Sequence, residues 1–205
     1  MKVWDGHVHF LAPDVSARLR SATASDTIGG EHVWGFVLGT HNSPLYGHRY
    51  WRKAEPQAIA RSNVRPVSSG LMNEVVKEYL KPQLDFFRQL QSIGTDFFVI
   101  SGPPPKLDSP FFKRGIRPET IVYIDNLLRN SLSDWLDKNN IAYIAPPQKA
   151  VANDGFLKPH YSQKTNDAGT IDPHHANSDY GELMANKIYD HLKLNNYSMA
   201  LGETA

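Results

Sequence analysis

Residues 96–105 read DFFVISGPPP, a mostly apolar run that ends in a turn of serine, glycine and three prolines. A short apolar run closed by turn formers is typical of a strand that is buried on both faces of a parallel sheet. The same pattern occurs at residues 32–38 (HVWGFVL), between glycines, and at residues 141–145 (IAYIA), before Pro146 and Pro147. We therefore expect three buried parallel strands at these positions.

Amphipathic helices are predicted between and after these strands. Apolar residues recur at helical spacing in residues 71–90, where Pro82 predicts a kink, a break or the start of a new helix. Residues 118–139 open with a proline, which suits the first turn of a helix. Residues 178–194 begin with Ser178 as N-cap candidate and end in basic residues. Alternating strands and helices place helices over a mostly parallel sheet, so the predicted fold class is α/β.

Two segments interrupt this alternation. Residues 40–70 are rich in arginine, histidine and proline, and residues 152–171 are rich in asparagine, aspartate, glycine and lysine. Long irregular segments in a compact domain are usually surface loops, often around a binding site. The sequence shows no internal repeat and no linker, so we expect a single domain over residues 1–205.

The composition excludes several classes of function. The 205 residues include 22 basic and 21 acidic side chains and no cysteine, which excludes a disulfide scaffold and a cysteine-ligated zinc site. The basic residues are scattered along the chain, so neither nucleic acid nor an anionic membrane is an expected partner. No apolar run reaches the roughly 20 residues of a membrane span, and the first residues lack a signal-peptide stretch. We predict a cytoplasmic protein without a cofactor.

The strongest catalytic candidate lies in residues 170–192, TIDPHHANSDYGELMANKIYDHL. Asp172 precedes His175 by three residues, in a loop that opens into the predicted C-terminal helix. At this spacing the carboxylate can accept the Nδ1 proton of the imidazole, which leaves Nε2 as a general base. In the alternative interpretation Asp172 only forms an Asp-Pro turn and His175 is a surface residue.

The Asp-x-x-His pattern, followed by Ala-Asn and an amphipathic helix with Tyr-Gly, resembles the last conserved block of the SGNH (GDSL-type) hydrolases. The resemblance is clear over residues 170–205 and looser over the strand, Gly-Pro-Pro-Pro turn, helix and strand of residues 96–147. It implies a three-layer α/β/α sandwich of the flavodoxin-like kind that hydrolyses a small or carbohydrate-linked acyl ester. In that family Asp172 would orient His175, and His175 would act as general base.

The resemblance also implies a serine nucleophile in a Gly-Asp-Ser block, with glycine and asparagine donors for the oxyanion. The chain contains no Gly-Asp-Ser. Gly39, His41 and Asn42 stand where the family's Gly-x-Asn-Asp block is expected, but the asparagine is one place late and no acid follows it. These three residues are the predicted oxyanion or substrate-binding group. Either the chain lacks the family's first strand together with its nucleophile, or it is a non-catalytic relative.

Three serines remain as replacement nucleophiles, Ser43, Ser68 and Ser69, although their sequence contexts do not resemble a nucleophile turn. A sheet without its first strand would also leave an unpaired edge. Because an open edge can pair with another chain, we expect a homodimer.

A second candidate site is the N-terminal stretch WDGHVHF, residues 4–10. His7 and His9 occupy positions i and i+2 of a strand and point to the same face, which suits a divalent metal. The stretch resembles the Asp-x-His-x-His opening of metal-dependent amidohydrolases. Those enzymes are (β/α)8 barrels with further histidines at later strand ends, a pattern that this chain lacks. The alternative is a half-buried edge segment with polar histidines and no metal.

A third candidate is the basic and aromatic segment HNSPLYGHRYWRK, residues 41–53. Arginine pairs bidentately with anions and tryptophan presents a flat apolar face. The segment can therefore clamp a carboxylate or phosphate, or stack on a sugar ring. The alternative is an exposed loop with ordinary surface charge.

Three functional interpretations remain open. In the first, the chain is an SGNH-like serine ester hydrolase that uses Asp172 and His175. In the second, it is a non-catalytic carbohydrate-binding or assembly module that kept the fold and the Asp-x-x-His loop. In the third, it is a metal-dependent hydrolase that uses His7 and His9.

Overall fold

The structure is a computed structural model that describes residues 2–10, 12–23, 25–30, 32–38, 42–107, 112, 114–165, 169, 172 and 175–197. The α-helices whose bounds are described are Pro13–Thr23 (α1), Ser43–Tyr46 (α2), Ser69–Ser92 (α3), Pro118–Lys138 (α4) and Ser178–Leu194 (α5). The described residues also form eight short strands: Lys2–Trp4 (β1), His7–His9 (β2), Thr27–Gly29 (β3), Trp34–Phe36 (β4), Ala54–Pro56 (β5), Arg65–Val67 (β6), Phe97–Ile100 (β7) and Tyr143–Ile144 (β8).

The centre of the fold is a parallel sheet in the order β4-β7-β8. Trp34 lies opposite Phe97, and Val99 lies opposite Tyr143. These strands fall within the three apolar runs that predicted them, although each strand is shorter than its run. The parallel arrangement of this sheet is therefore confirmed.

Helices cover both faces of this sheet. Phe97 and Val99 of β7 pack into one core with α3 and α4. Phe98 and Ile100 point to the opposite face, where they pack with residues of α5. The two cores are separate because successive side chains of a strand alternate between its faces. The predicted α/β class is therefore confirmed.

Helix α3 runs without interruption through Pro82, so the predicted break or new helix at that residue does not form. Proline removes the bond to the carbonyl four residues earlier. Pro82 and Glu78 are both exposed, so water can replace that bond while the opposite face of α3 stays packed in the core. None of the described helices combines the length and apolarity needed to cross a membrane.

The N-terminal residues form a small antiparallel sheet in the order β1-β2-β3. Val8 of β2 lies opposite both Val3 and Ile28, so β2 is the middle strand of this sheet, and His7 and His9 do not lie on an edge strand as the alternative interpretation had it. Asp5 and Gly6 have positive φ angles of 52° and 70°. An Asp-Gly pair in this conformation makes the tight turn that joins β1 to β2. Because of this turn, β2 pairs with β1 along one side and with β3 along the other.

Residues 40–70 are not an irregular loop in their described part. Strands β5 and β6 pair in parallel, with Ala54 opposite Arg65. Trp51 is buried, and its Nε1 donates a hydrogen bond to the carbonyl of Leu45 at 2.7 Å. The proline- and arginine-rich composition concealed these strands because each is only three residues long.

Candidate functional site

The three strands of the central sheet are parallel, so their carboxyl ends meet at one edge. In open α/β sheets ligands bind beside this edge. Asn42 lies in the segment that follows β4, and Ser101 and Lys106 lie in the segment that follows β7. The side chains of Asn42, Ser101 and Lys106 all form hydrogen bonds with residues from other segments at this edge.

Asp172 and His175 are in direct contact. Oδ2 of Asp172 lies 2.8 Å from Nδ1 of His175, and Oδ1 accepts the backbone N–H of His175 at 2.8 Å. The aspartate side chain is 7% exposed, whereas the histidine side chain is 78% exposed. Among the described residues nothing hydrogen-bonds Nε2 of His175. One buried carboxylate thus holds both the backbone and the ring, and leaves Nε2 available on the surface.

Lys106 anchors the loop that carries this pair. Its Nζ donates to the backbone carbonyl of Asp172 at 2.5 Å and also to the carbonyl of Gln163, and the lysine is only 3% exposed. Two backbone hydrogen bonds join the same two segments. The N–H of Asp172 donates to the carbonyl of Lys164, and the N–H of Gln163 donates to the carbonyl of His175, each at 3.1 Å. The position of the pair therefore depends on a buried lysine from the segment after β7.

Helix α5 begins directly after the pair. Its N-cap is Asn177, whose Oδ1 accepts the backbone N–H of Tyr180 at 3.2 Å, and Ser178 is the first helical residue instead of the cap. The amide of Asn177 also donates to the carbonyl of His160 at 2.7 Å. A second histidine–aspartate pair lies here, with His160 Nε2 3.2 Å from Asp179 Oδ2 and both side chains exposed.

A buried network lies at the same edge of the sheet. Oδ1 of Asp125 accepts the amide N–H of Asn42 at 2.7 Å, and Oδ2 accepts Nε of Arg129 at 2.6 Å. The side chains of Asp125 and Arg129 are 4% and 12% exposed. Burial by itself would lower the pKa of Arg129, but the charge and hydrogen bond of Asp125 outweigh it and raise that pKa. The guanidinium therefore stays charged.

Arg129 also holds the turn that follows β7. Its guanidinium donates to the hydroxyl of Ser101, to the carbonyl of Gly102 at 3.0 Å and to the carbonyl of Pro103 at 2.8 Å. The same segment continues to Lys106, which holds Asp172. The buried network and the loop with the Asp172–His175 pair are thus attached to a single segment.

Two tyrosines border the network. Burial raises the pKa of Tyr46, and the negative charge of Asp125 raises it further. Burial also raises the pKa of Tyr180, with Arg129 opposing this shift. Both side chains therefore remain neutral phenols beside the ion pair of Asp125 with Arg129.

The predicted oxyanion group is placed only in part. Asn42 is 3% exposed, and its amide nitrogen donates to Asp125. Gly39 and His41 lie outside the described residues. The structure therefore shows Asn42 as a member of the buried network.

In the described part of the chain, none of the candidate nucleophiles is hydrogen-bonded to His175. The hydroxyl of Ser68 caps α3 by accepting the backbone N–H of Leu71 at 3.3 Å, and Ser43 is a buried residue at the start of α2. Ser69 is the exposed first residue of α3. No serine hydroxyl of the described part of the chain is hydrogen-bonded to His175.

His7 and His9 lie on the middle strand of the N-terminal sheet, with ring centroids 6.5 Å apart. Nδ1 of His7 lies 2.7 Å from the carbonyl oxygen of Asp5. No group of three or more histidine, aspartate or glutamate side chains that could hold a metal occurs within the described ranges.

Sequence patterns did not identify three residues of this edge, Asp125, Arg129 and Lys106. One signal was present, because Asp125 and Arg129 are a charged i, i+4 pair beside the apolar positions Ile124 and Leu128 of α4. Charged residues on the apolar side of a helix usually have partners when they are buried. Lys106 follows three prolines and had no comparable signal.

A scan against models of protein families finds no match to the chain, and searches of curated proteins and of solved structures find none either.

Proposed function

We propose that the chain is an SGNH-like ester hydrolase domain in which Asp172 orients His175 as the general base. The observation that carries the proposal is the 2.8 Å contact between Oδ2 of Asp172 and Nδ1 of His175. The carboxylate of Asp172 is buried and the ring of His175 is on the surface, so the ring is held in place and can reach a substrate. The substrate is a small or carbohydrate-linked acyl ester.

In this reaction Nε2 of His175 takes the proton of the attacking hydroxyl. Asp172 stabilises the imidazolium that results and keeps Nδ1 as the protonated nitrogen. The oxygen of the hydroxyl attacks the ester carbonyl, and the proton then passes to the departing alkoxide. A positioned general base of this kind typically contributes about 10²–10⁴ in rate.

The arrangement of the fold supports the same proposal. A parallel sheet with α3 and α4 on one face and α5 on the other is compatible with the three-layer, flavodoxin-like sandwich of that family. Among the described strands, β4 and β8 are the outermost strands of the central sheet. Pairing of one of these edges with a second copy stays a prediction.

The attacking group is either water or the hydroxyl of a serine that lies outside the described residues. Hydrolysis of p-nitrophenyl acetate is measured for residues 1–205 and for a version that carries any residues encoded in frame before Met1. His175→Ala and Asp172→Asn are compared with His160→Ala, a matched control that removes an exposed histidine which also contacts an aspartate.

The expected result is a loss of about 10²–10⁴ for His175→Ala, a smaller loss for Asp172→Asn and no loss for His160→Ala. Activity of the longer version alone would mean that the nucleophile lies upstream. Absence of hydrolysis in every form, with an unchanged circular dichroism spectrum, overturns the ester reaction. That outcome favours the second candidate, a non-catalytic carbohydrate-binding module. One observation supports this candidate: no serine hydroxyl of the described residues is hydrogen-bonded to His175.

A further inference from the structure

The segment around β5 and β6 lines a cleft of about 700 Å³. This volume is in the range of sites for small molecules, about 300–1,000 Å³. The lining residues come from two stretches of chain and are mostly cationic: Arg49, Tyr50, Arg52, Lys53, Ala54 and Arg65.

The backbone under this cleft is held in place. The indole of Trp51 is buried and bonded to the carbonyl of Leu45, which fixes the turn that carries the first cations. The backbone N–H of Arg65 donates to the carbonyl of Lys53 at 3.3 Å, and the parallel register sets Arg65 opposite Ala54. The parallel pairing of β5 with β6 therefore brings Arg65 beside the cations of the first stretch.

These cations are not neutralised within the described part of the chain. Each of the four lacks a carboxylate within ion-pair distance among the described residues. Ion pairs are formed instead by five other arginines: Arg20, Arg61, Arg88, Arg117 and Arg129. Like charges that share one surface repel each other and raise the free energy of the folded state. A bound anion removes this repulsion.

The carboxylate nearest in sequence is committed elsewhere. Glu55, within β5, is 1% exposed and accepts the backbone N–H of Arg61 at 2.9 Å and Nε of Arg61 at 3.0 Å. It also accepts Nη1 of Arg117 at 3.1 Å. Two arginines outside the cleft lining thus use this carboxylate, and the lining cations do not.

We infer that this cleft binds an anionic oligosaccharide whose sugar units carry carboxylates. The guanidinium groups match carboxylates bidentately. Tyr50, 42% exposed, supplies an aromatic face for a sugar ring. A nucleic-acid strand needs successive aromatic platforms for its bases, whereas Tyr50 is the one aromatic side chain among the described residues that line this cleft. The choice of a saccharide rests on the proposed carbohydrate-ester function, while the binding of an anion does not.

The test is titration calorimetry of residues 1–205 with trigalacturonic acid, which contains no acyl ester. Maltotriose is the neutral comparison, and tripolyphosphate and a short single-stranded DNA are the phosphate comparisons. We expect trigalacturonic acid to bind at least about tenfold more tightly than maltotriose, and its affinity to fall as salt is added. Arg52→Ala with Arg65→Ala is expected to weaken binding by about tenfold or more, since each lost guanidinium removes charge-assisted bonds.

The matched control is Arg18→Ala with Lys193→Ala, which removes two exposed cations that do not line the cleft. It should leave the affinity unchanged. Equal losses in both double variants, equal affinity for maltotriose, or no binding of trigalacturonic acid overturns the inference. Tighter binding of tripolyphosphate or DNA overturns the saccharide. Because no ester is present, these results are independent of the p-nitrophenyl acetate assay.

Discussion

Two pairs, each of an aspartate and a basic side chain, lie at the edge of the fold where the central strands end, and they differ in one property. Asp125 and Arg129 are both buried, at 4% and 12% exposure. Asp172 and His175 are at 7% and 78%. The carboxylates are buried to nearly the same degree, so the difference lies in the basic partner.

This difference separates a structural pair from a chemical one. Arg129 donates to Asp125 and to three oxygens of the turn after β7, so its hydrogen-bonding capacity is used inside the protein. His175 uses Nδ1 for Asp172 and keeps Nε2 at the surface. A buried, satisfied pair specifies how segments meet, while an exposed base on a buried acid is able to act on a ligand.

The largest expected effect is on the buried pair. Arg129→Met leaves Asp125 as a buried charge without its partner, and it also releases the turn carbonyls, so we expect a loss of about 3–5 kcal/mol in unfolding free energy. Urea unfolding followed by circular dichroism measures it. His175→Ala is the control from the exposed pair and should change stability by less than about 0.5 kcal/mol. Similar losses in both variants would remove the distinction between the pairs.

A smaller effect is expected where the two regions are connected. Lys106→Met removes the ammonium that donates to the carbonyls of Asp172 and Gln163, which we expect to cost about 1–3 kcal/mol. It should also lower ester hydrolysis, because the loop with His175 loses its anchor. Lys158→Met is the control, since Lys158 donates to the carbonyl of Lys149 at 2.9 Å from an exposed position. Unchanged stability and hydrolysis in Lys106→Met would show that the loop is held by other contacts.

The smallest effect concerns Glu55. Its ion pair with Arg61 is intermediate between the two pairs compared above, because the carboxylate is buried and Arg61 is half exposed. Burial alone would raise the pKa of Glu55, but the hydrogen bonds from Arg61 and the charge of Arg117 outweigh it and hold that pKa below its ordinary value. A lowered pKa in the folded state stabilises the protein above the unfolded-state value, and this contribution is lost as the pH falls through the folded-state value.

We therefore expect Glu55→Gln to cost about 1–2 kcal/mol at pH 7, and the difference from wild type to shrink below about pH 4. Urea unfolding at a series of pH values measures both. Glu74→Gln, which removes an exposed carboxylate 3.6 Å from Lys77, should show neither effect. A constant difference across the pH range would mean that ionisation of Glu55 does not contribute to stability.

Local patterns in the sequence predicted the long elements well. The apolar spacing before residue 96 predicted α3, and the proline at the start of residues 118–139 predicted α4, which begins at Pro118. Short elements were missed for a physical reason. A strand of three residues, such as β5 or β6, has too few positions to show a period, and its stability comes from pairing with a distant segment.

The site divides in the same way. Asp172 and His175 are three residues apart, so their contact follows from the geometry of one loop. Asn42 and Asp125 are 83 residues apart, and Lys106 and Asp172 are 66 apart. No pattern within a short window relates the members of these distant pairs.

By itself, the sequence determined the α/β class, the three parallel strands, the long helices and the spacing of Asp172 and His175. Each of these depends on residues within a few positions of one another, where backbone geometry and hydrophobic periodicity decide the outcome. Only the tertiary structure decided that Arg129 holds the segment after β7 while Lys106 of that segment holds the loop of Asp172, and that Arg65 joins Lys53 in a basic cleft. Such contacts form when the helices and strands pack, because burial forces distant polar groups to find partners.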